Sequence, residues 1–209
     1  MVVKKSIRYT EMKLPKTIHW EKMRNEEASI KYCQKSATSI GEPIIFGFPK
    51  PIKIISELRE YQKVIENIYL TEPDDRAIYW FYEDIGNVGK SAFCKYMYSK
   101  HGVLFCNGGK SGDLINLCFN TDMDNTKAVI WDIPRASQNA ISYSAVEQIK
   151  NGLICNTKYE TGNKIFNPPH IFIFANFPPR DTHNLSIDRW NIYRIDETFS
   201  LNKRITYKS

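Results

Sequence analysis

The sequence predicts an α/β fold built on a central, mostly parallel β-sheet, and three observations support this prediction. The chain has 209 residues, of which 42% are hydrophobic and 25% charged, as in a folded globular protein. Short apolar runs alternate with stretches of helical composition through residues 76–209, which is typical of strand–helix–strand units. The runs are apolar throughout, as are strands covered on both faces of a parallel sheet.

The first 50 residues are predicted to form a small unit of mixed structure. Ser6–Tyr9 favours a strand and Trp20–Lys31 a helix, and the breakers Pro43 and Pro49 close the unit. A boundary near Lys50–Ile52 divides the chain into residues 1–50, a linker over residues 51–75 and a main domain over residues 76–209.

The linker is predicted to be helical. Apolar side chains recur at three- and four-residue spacing between Ile54 and Ile68, and this periodicity predicts an amphipathic helix over Lys53–Leu70. Thr71–Asp75 is expected to end it.

The main domain then opens with the apolar strand Ala77–Tyr82, and apolar runs and helical stretches alternate after it as SAFCKYMYSKH, GVLFC, GDLINLCFN, KAVIWDI, AVEQIKNGL and HIFIFANF.

Composition and charge exclude some classes of protein. No run of about 18 apolar residues is present, so a membrane span is not predicted, and the N-terminus lacks the apolar stretch of a signal peptide. The five cysteines are widely spaced without a C-x-x-C pair, which argues against a disulfide framework and a zinc site. The net charge is +6, and residues 1–50 hold ten Lys/Arg against five Glu, a surplus that suits a phosphate-backbone partner.

The strongest motif lies between the strand Ala77–Tyr82 and the helical stretch Ala92–Lys100. There, successive backbone N–H groups and a helix N-terminus are expected to face a triphosphate, with Lys90 neutralising the β- and γ-phosphates and the Ser91 hydroxyl ligating Mg²⁺. The strict P-loop pattern fails at one place, where Asp84 occupies the position of the first glycine. The predicted nucleotide-binding residues are Gly86, Asn87, Val88, Gly89, Lys90 and Ser91.

Two further apolar strands end in polar residues. Asp132 ends the run Ala128–Asp132 and is predicted to help hold Mg²⁺, as Walker B acids do. Asn176 follows the run Ile171–Ala175, where an amide can orient the attacking water or sense the γ-phosphate.

With these strand ends, the chain resembles the replication-associated (Rep) proteins of small circular single-stranded DNA viruses, and the nanovirus and alphasatellite type above all. The resemblance is to their superfamily 3 helicase domain, which is an AAA+-like P-loop NTPase. The resemblance lies in Gly86–Ser91, in Trp131–Arg135, and in Asn176–Pro179 followed by Leu185–Trp190. It implies an ATP- and Mg²⁺-dependent DNA helicase that assembles as a homo-oligomeric, hexameric ring on single-stranded DNA during rolling-circle replication. It also implies a host-nuclear location.

The resemblance assigns further roles. Arg189 is similar in placement to the arginine finger that reaches the γ-phosphate of a neighbouring subunit. Lys158 and Lys164 fall where the family has a hairpin that contacts single-stranded DNA in the ring channel. The helix Lys53–Leu70 would be the oligomerisation segment.

Residues 1–50 resemble the end of the family's HUH endonuclease domain, an α+β domain of which this would be a remnant. In that family a tyrosine hydroxyl attacks a DNA phosphodiester and a lysine one helical turn later positions the group; Tyr32 and Lys35 occupy those positions. The family's metal-binding histidine motif is absent upstream, where His19 is the only histidine. An incomplete nicking domain is therefore expected, from a truncated or naturally shortened chain.

Two departures from the family pattern bear on catalysis. Ile133 follows Asp132 where many relatives have the acid that activates water, and Glu83, Asp84 or Glu160 is a candidate substitute. Asp84 also brings a negative charge near bound phosphates. A slow ATPase is therefore expected, and the alternatives are a non-catalytic, decayed Rep-like nucleic-acid-binding protein or an RNA helicase of the related small-RNA-virus type.

Overall fold

The structure is a computed structural model that describes residues 24–33, 52–137 and 141–203. Residues 1–53 and 54–209 form two separate compact units. In the first unit, helix α1 (Glu26–Cys33) begins after Asn25, whose side chain accepts a hydrogen bond from the Ala28 N–H at 3.0 Å. The predicted strand Ser6–Tyr9 and the first part of the predicted helix Trp20–Lys31 lie outside the described residues.

The second unit is built on a six-stranded sheet, which confirms the predicted α/β class with a mostly parallel sheet. The strand order is β2-β3-β6-β1-β7-β8, and every neighbouring pair is parallel except β7 and β8. The strands of this sheet are β1 (Ile78–Tyr82), β2 (Leu104–Cys106), β3 (Ala128–Asp132), β6 (His170–Ala175), β7 (Trp190–Ile195) and β8 (Leu201–Lys203).

Helices cover both faces of the sheet. Successive strand residues point to opposite sides, and apolar side chains on both sides must be buried. Trp80 of β1 belongs to the core on one face, with α4 (Ser111–Phe119) and α5 (Tyr143–Lys150). Its neighbour Phe81 belongs to the core on the other face, with α2 (Glu60–Leu70) and α3 (Lys90–His101). Burial on both faces is why the strands read as continuous apolar runs.

A two-stranded antiparallel hairpin lies apart from the main sheet. It is formed by β4 (Leu153–Asn156) and β5 (Gly162–Ile165), with Leu153 paired to Ile165.

Of the four cysteines whose side chains are described, Cys94, Cys106 and Cys118 are buried and Cys155 is exposed. No helix within the described ranges is long and apolar enough to cross a membrane.

The predicted helix Lys53–Leu70 is wrong at its start, because α2 begins only at Glu60. The Gln62 side chain accepts a hydrogen bond from the Arg59 N–H at 2.9 Å, and this contact fixes the first turn of the helix. β-Branched residues such as Ile54 and Ile55 are poorer helix formers, so apolar spacing alone does not extend the helix through them. The end at Leu70 agrees with the prediction, and Thr71 caps it through Oγ1 on the Ile68 carbonyl at 2.7 Å.

Candidate functional site

A cavity of about 450 Å³ lies at the carboxyl edge of the sheet. Parallel strands bring their carboxyl ends to this one edge, so residues far apart in sequence meet there. The residues predicted for nucleotide binding and metal binding line it, as does Asn176, which was predicted to orient water or sense the γ-phosphate: Gly86, Asn87, Val88, Gly89, Lys90, Ser91, Asp132 and Asn176.

The loop between β1 and α3 contains three residues with positive φ. Gly86 has φ +106° and Gly89 φ +87°, in the left-handed region that favours glycine, and Asn87 has φ +66°. Helix α3 begins directly after Gly89, and in this described stretch its first turn has neither a capping side chain nor an acidic residue. Its N–H groups are therefore available to an anion in the cavity.

Lys90 is paired with a buried carboxylate, Glu83, which directly follows β1. The Lys90 Nζ donates to Glu83 Oε1, and the Asn176 Nδ2 donates to the same oxygen at 2.7 Å. The Gly86 N–H donates to the other oxygen. Burial raises the pKa of Glu83, but the hydrogen bond and charge of Lys90, together with hydrogen bonds from the backbone of Gly86 and Ile85, outweigh burial, so the pKa lies below its ordinary value.

Asp132 and Ser91 bring oxygen atoms to the same cavity. Asp132 ends β3 beside Phe174 of β6, and the Ile133 N–H continues the pairing by donating to the Phe174 carbonyl at 2.8 Å. Ile133 itself is 1% exposed and belongs to the apolar core. The position after Asp132 therefore contributes an apolar side chain that packs in the core and lines the cavity, and no charge.

Two arginines that the sequence analysis missed hold the start of the loop. Arg194 forms an ion pair with Asp84, with 3.0 Å between Nη2 and Oδ2. The Arg135 Nη2 donates to the carbonyls of Asp84 and Ile85 at 3.2 and 3.0 Å. Asp84 in place of glycine was the available signal, since a carboxylate near a phosphate site calls for a neutralising cation.

Helix α2 holds the second half of the loop. The Tyr61 hydroxyl donates to the Val88 carbonyl at 3.0 Å, and the Gln62 Nε2 donates to the Gly89 carbonyl at 3.2 Å. Burial raises the pKa of Tyr61, so its hydroxyl remains a neutral donor. These contacts were also missed, because the periodicity of α2 indicates only which side is apolar.

Arg189 is not brought into this cavity within one chain. It precedes Trp190, which pairs with Ile78 at the start of β1, so it lies at the opposite edge of the sheet from Lys90. Its side chain is buried, with Nη2 donating to Asn151 Oδ1 at 2.9 Å. Its Nε and Nη1 atoms are buried without a partner among the described residues.

The residues predicted for DNA also lie away from the cavity. Lys158 precedes Tyr159 in the β4–β5 turn and pairs with Asp113, and the Lys164 Nζ donates to the Phe119 carbonyl at 3.1 Å. Tyr32 is exposed on α1 in the other unit. Lys35 lies outside the described residues.

The sheet and the cavity define an α/β protein whose candidate site lies at the carboxyl edge of a parallel sheet. No protein-family model matches the chain. Sequence relatives are Para-Rep C7 of Faba bean necrotic yellows C7 alphasatellite, with 41% identity over 139 residues, and Para-Rep C10 of Milk vetch dwarf C10 alphasatellite, with 32% identity over 219 aligned positions. Para-Rep C6 of Subterranean clover stunt C6 alphasatellite is 36% identical over 140 residues.

The chain therefore belongs to the Rep proteins of circular single-stranded DNA viruses and their satellites, in the alphasatellite Para-Rep group. The matches cover 65%, 83% and 66% of the chain, in the order C7, C10 and C6. They cover 48%, 76% and 48% of the relatives, so the chain spans about half the length of two of them.

Proposed function

We propose that the chain is a replication protein with a P-loop ATPase of the superfamily 3 helicase type, acting on single-stranded DNA in rolling-circle replication. One observation carries the proposal: Lys90, Asp132 and Asn176, from three separate segments, line one cavity with a glycine loop and an uncapped helix N-terminus. Membership of the Rep family supports the role in replication.

The residues fit ATP with Mg²⁺. The positive φ values of Gly86 and Gly89 turn the loop around the cavity, and Lys90 supplies a cation for the phosphates. Ser91 and Asp132 would hold Mg²⁺, whose charge screens the phosphate oxygens when it is bound. Across the described residues no cluster of three or more His, Cys, Asp or Glu is present, and Mg²⁺ in phosphate sites takes only one or two carboxylates from the protein.

The chain's own groups would act mainly by positioning and charge. The amides of the loop fix the phosphates, Lys90 neutralises them, and the Asn176 amide orients the attacking water. Arg189 would serve the site of a neighbouring subunit in a hexameric ring, after it leaves its contact with Asn151. Lys158 and Lys164 would contact single-stranded DNA, and Tyr32 with Lys35 would belong to a nicking region in a protein that works in the host nucleus.

A non-catalytic, nucleotide-binding Rep-like protein is a second candidate, and one observation favours it. Ile133 is buried in the core where a second carboxylate would activate water. Binding of Mg·ATP without turnover would be its signature.

The test is steady-state ATP hydrolysis by the full chain with and without single-stranded DNA. We expect turnover that rises with DNA and is lost in Lys90→Ala, while Lys95→Ala, an exposed lysine on the same helix, retains it. Binding without turnover would favour the second candidate. Equal unwinding of RNA and DNA duplexes would contradict the preference for DNA.

A further inference from the structure

The missing carboxylate after Asp132 leaves the proton acceptor of the proposed reaction unassigned, and three other carboxylates are candidates. Glu160 is exposed in the β4–β5 turn, and no described contact joins its side chain to a residue that lines the cavity. Asp84 is half exposed and its carboxylate is paired with Arg194. Glu83 is 4% exposed and lies behind the lining of the cavity, where it contacts Lys90 and Asn176, which both line it.

We propose that Glu83 is the general base that accepts the proton of the attacking water. This inference rests on the proposed ATPase function and names a further catalytic residue for it. Glu83 follows β1 at the level where Asn176 follows β6, because Tyr82 and Ala175 are paired in the parallel register. The carboxylate thus lies beside the amide proposed to orient the water.

The contact with Lys90 gives Glu83 a way to respond to the substrate. A nucleoside triphosphate brings several negative charges to the loop and competes with Glu83 for the Lys90 ammonium. Once Lys90 is shared with the phosphates, burial still disfavours the charged carboxylate while the stabilising contact is weaker. The affinity of Glu83 for a proton then rises, which is what a general base requires.

The proposed step balances in atoms and electrons. The water oxygen forms a bond to the γ-phosphorus, and the bond from that phosphorus to the β–γ bridging oxygen breaks, with its electron pair left on ADP. One water proton passes to a carboxylate oxygen of Glu83, and Glu83 later releases it to solvent. Asn176 donates to Glu83 Oε1 at 2.7 Å and so fixes the direction of the carboxylate.

The decisive variant is Glu83→Gln in the full chain, because it keeps the size of the side chain and an acceptor oxygen while removing the base. We expect its kcat to fall by about 100-fold or more. Equilibrium binding of Mg·ATP should stay equal or become tighter, because the glutamine no longer competes as a charge for Lys90. Asp124→Asn, an exposed carboxylate in the turn before β3, is the matched control and should leave both unchanged.

The binding measurement separates catalysis from structure. If Glu83 only positioned Lys90, Glu83→Gln would weaken Mg·ATP binding along with kcat, and that result would overturn the proposal. A kcat within about threefold of the unmodified chain, or loss of turnover in Asp84→Asn but not in Glu83→Gln, would overturn it as well. An unmodified chain that binds Mg·ATP without turnover would contradict the ATPase function itself, and Glu83 as base with it.

Discussion

Glu83 and Asn176 meet at the ends of two neighbouring parallel strands, with 2.7 Å between Glu83 Oε1 and Asn176 Nδ2. The two residues are 93 positions apart in sequence, and only the pairing of β1 with β6 brings them to the same level. Lys90 donates to the same carboxylate oxygen. The Lys90 ammonium and the Asn176 amide, which line the cavity, therefore both donate to one oxygen of the Glu83 carboxylate behind them.

This arrangement predicts a selective effect of Asn176→Ala. The variant removes the amide from Glu83 but leaves the ion pair with Lys90, so we expect kcat for ATP to fall about 10- to 100-fold. Binding of Mg·ATP should change by less than about threefold, because the loop and Lys90 remain. Steady-state kinetics and equilibrium binding check this split, and a large loss of binding with unchanged kcat would contradict it.

The pair Asp84–Arg194 predicts a second, smaller effect. Arg194→Ala leaves the Asp84 carboxylate near the phosphates without its cation, so Mg·ATP should bind more weakly. Both side chains are about half exposed, so the pair is worth about 1 kcal/mol or less, a change of up to about fivefold in Kd. Adding Asp84→Asn should restore binding, and the effect should shrink in high salt. A double variant as weak as Arg194→Ala would contradict the electrostatic account.

Sequence reasoning predicted the sheet and the main residues of the cavity because both depend on short, local signals. The strand β3 reads as a continuous apolar run ending in Asp132, and β1 reads as one before the glycine loop. Parallel strands must end at one edge, so the meeting of Lys90, Asp132 and Asn176 follows from order alone.

The contacts around the loop were not predictable in the same way. Arg194 reaches Asp84 across 110 positions, and Tyr61 reaches Val88 from a helix whose start was placed too early. The pairing of Glu83 with Lys90 depends on side-chain direction at the end of β1, which hydrophobic spacing does not encode. Long-range polar contacts require the three-dimensional neighbourhood that only the structure supplies.

Two glycines with similar backbone angles predict different costs of substitution. Gly102 has φ +65° and no described atom within 4 Å of an added Cβ, so Gly102→Ala should cost about 1–2 kcal/mol from backbone strain alone. Gly152 has φ +69°, and its Cβ would lie 2.2 Å from the Phe166 carbonyl oxygen. Gly152→Ala should therefore cost about 3 kcal/mol or more, since backbone must move. Urea unfolding of both variants measures the difference, and equal costs would contradict it.

Buried Lys150 predicts a pH dependence of stability. Its side chain is fully buried and its Nζ donates to the Pro169 carbonyl at 2.8 Å. Burial lowers its pKa from 10.5 to about 8, against the opposing charges of Asp74 and Asp75. Between these two values the unfolded chain binds more protons than the folded chain, so this lysine makes stability rise with pH, by at most about 1.4 kcal/mol per pH unit.

Lys150→Met isolates that contribution. The variant should lack the rise in stability with pH that Lys150 causes. We therefore subtract the free energy of unfolding of Lys150→Met from that of the unmodified chain, and expect this difference to increase from about pH 8 towards pH 10. Buried tyrosines and cysteines titrate in both proteins and cancel in the difference. Urea unfolding across this range measures it, and a flat difference would show that Lys150 is charged to the same extent in both states.

We expect the two hairpin lysines to have different roles, Lys158 in DNA binding and Lys164 in stability. Lys158 is 39% exposed at the turn and pairs only with the exposed Asp113 among the described contacts, so it can exchange that partner for a phosphate. Lys164 donates to the carbonyls of Phe119 and Thr121 and so fastens β5 to the end of α4. Lys158→Ala should therefore weaken single-stranded DNA binding without changing stability, whereas Lys164→Ala should lower the free energy of unfolding by about 1 kcal/mol or more.

Salt titration identifies which lysine contacts the phosphate backbone. Losing one phosphate contact on a single strand reduces the slope of log K against log salt by about 0.7. Lys158→Ala should show this reduction for every DNA sequence tested, and Lys95→Ala, exposed on α3, should not. The opposite result is a full slope in Lys158→Ala and a reduced slope in a folded Lys164→Ala. In that case the phosphate contact belongs to Lys164, and its hydrogen bonds to the two carbonyls must break when DNA binds.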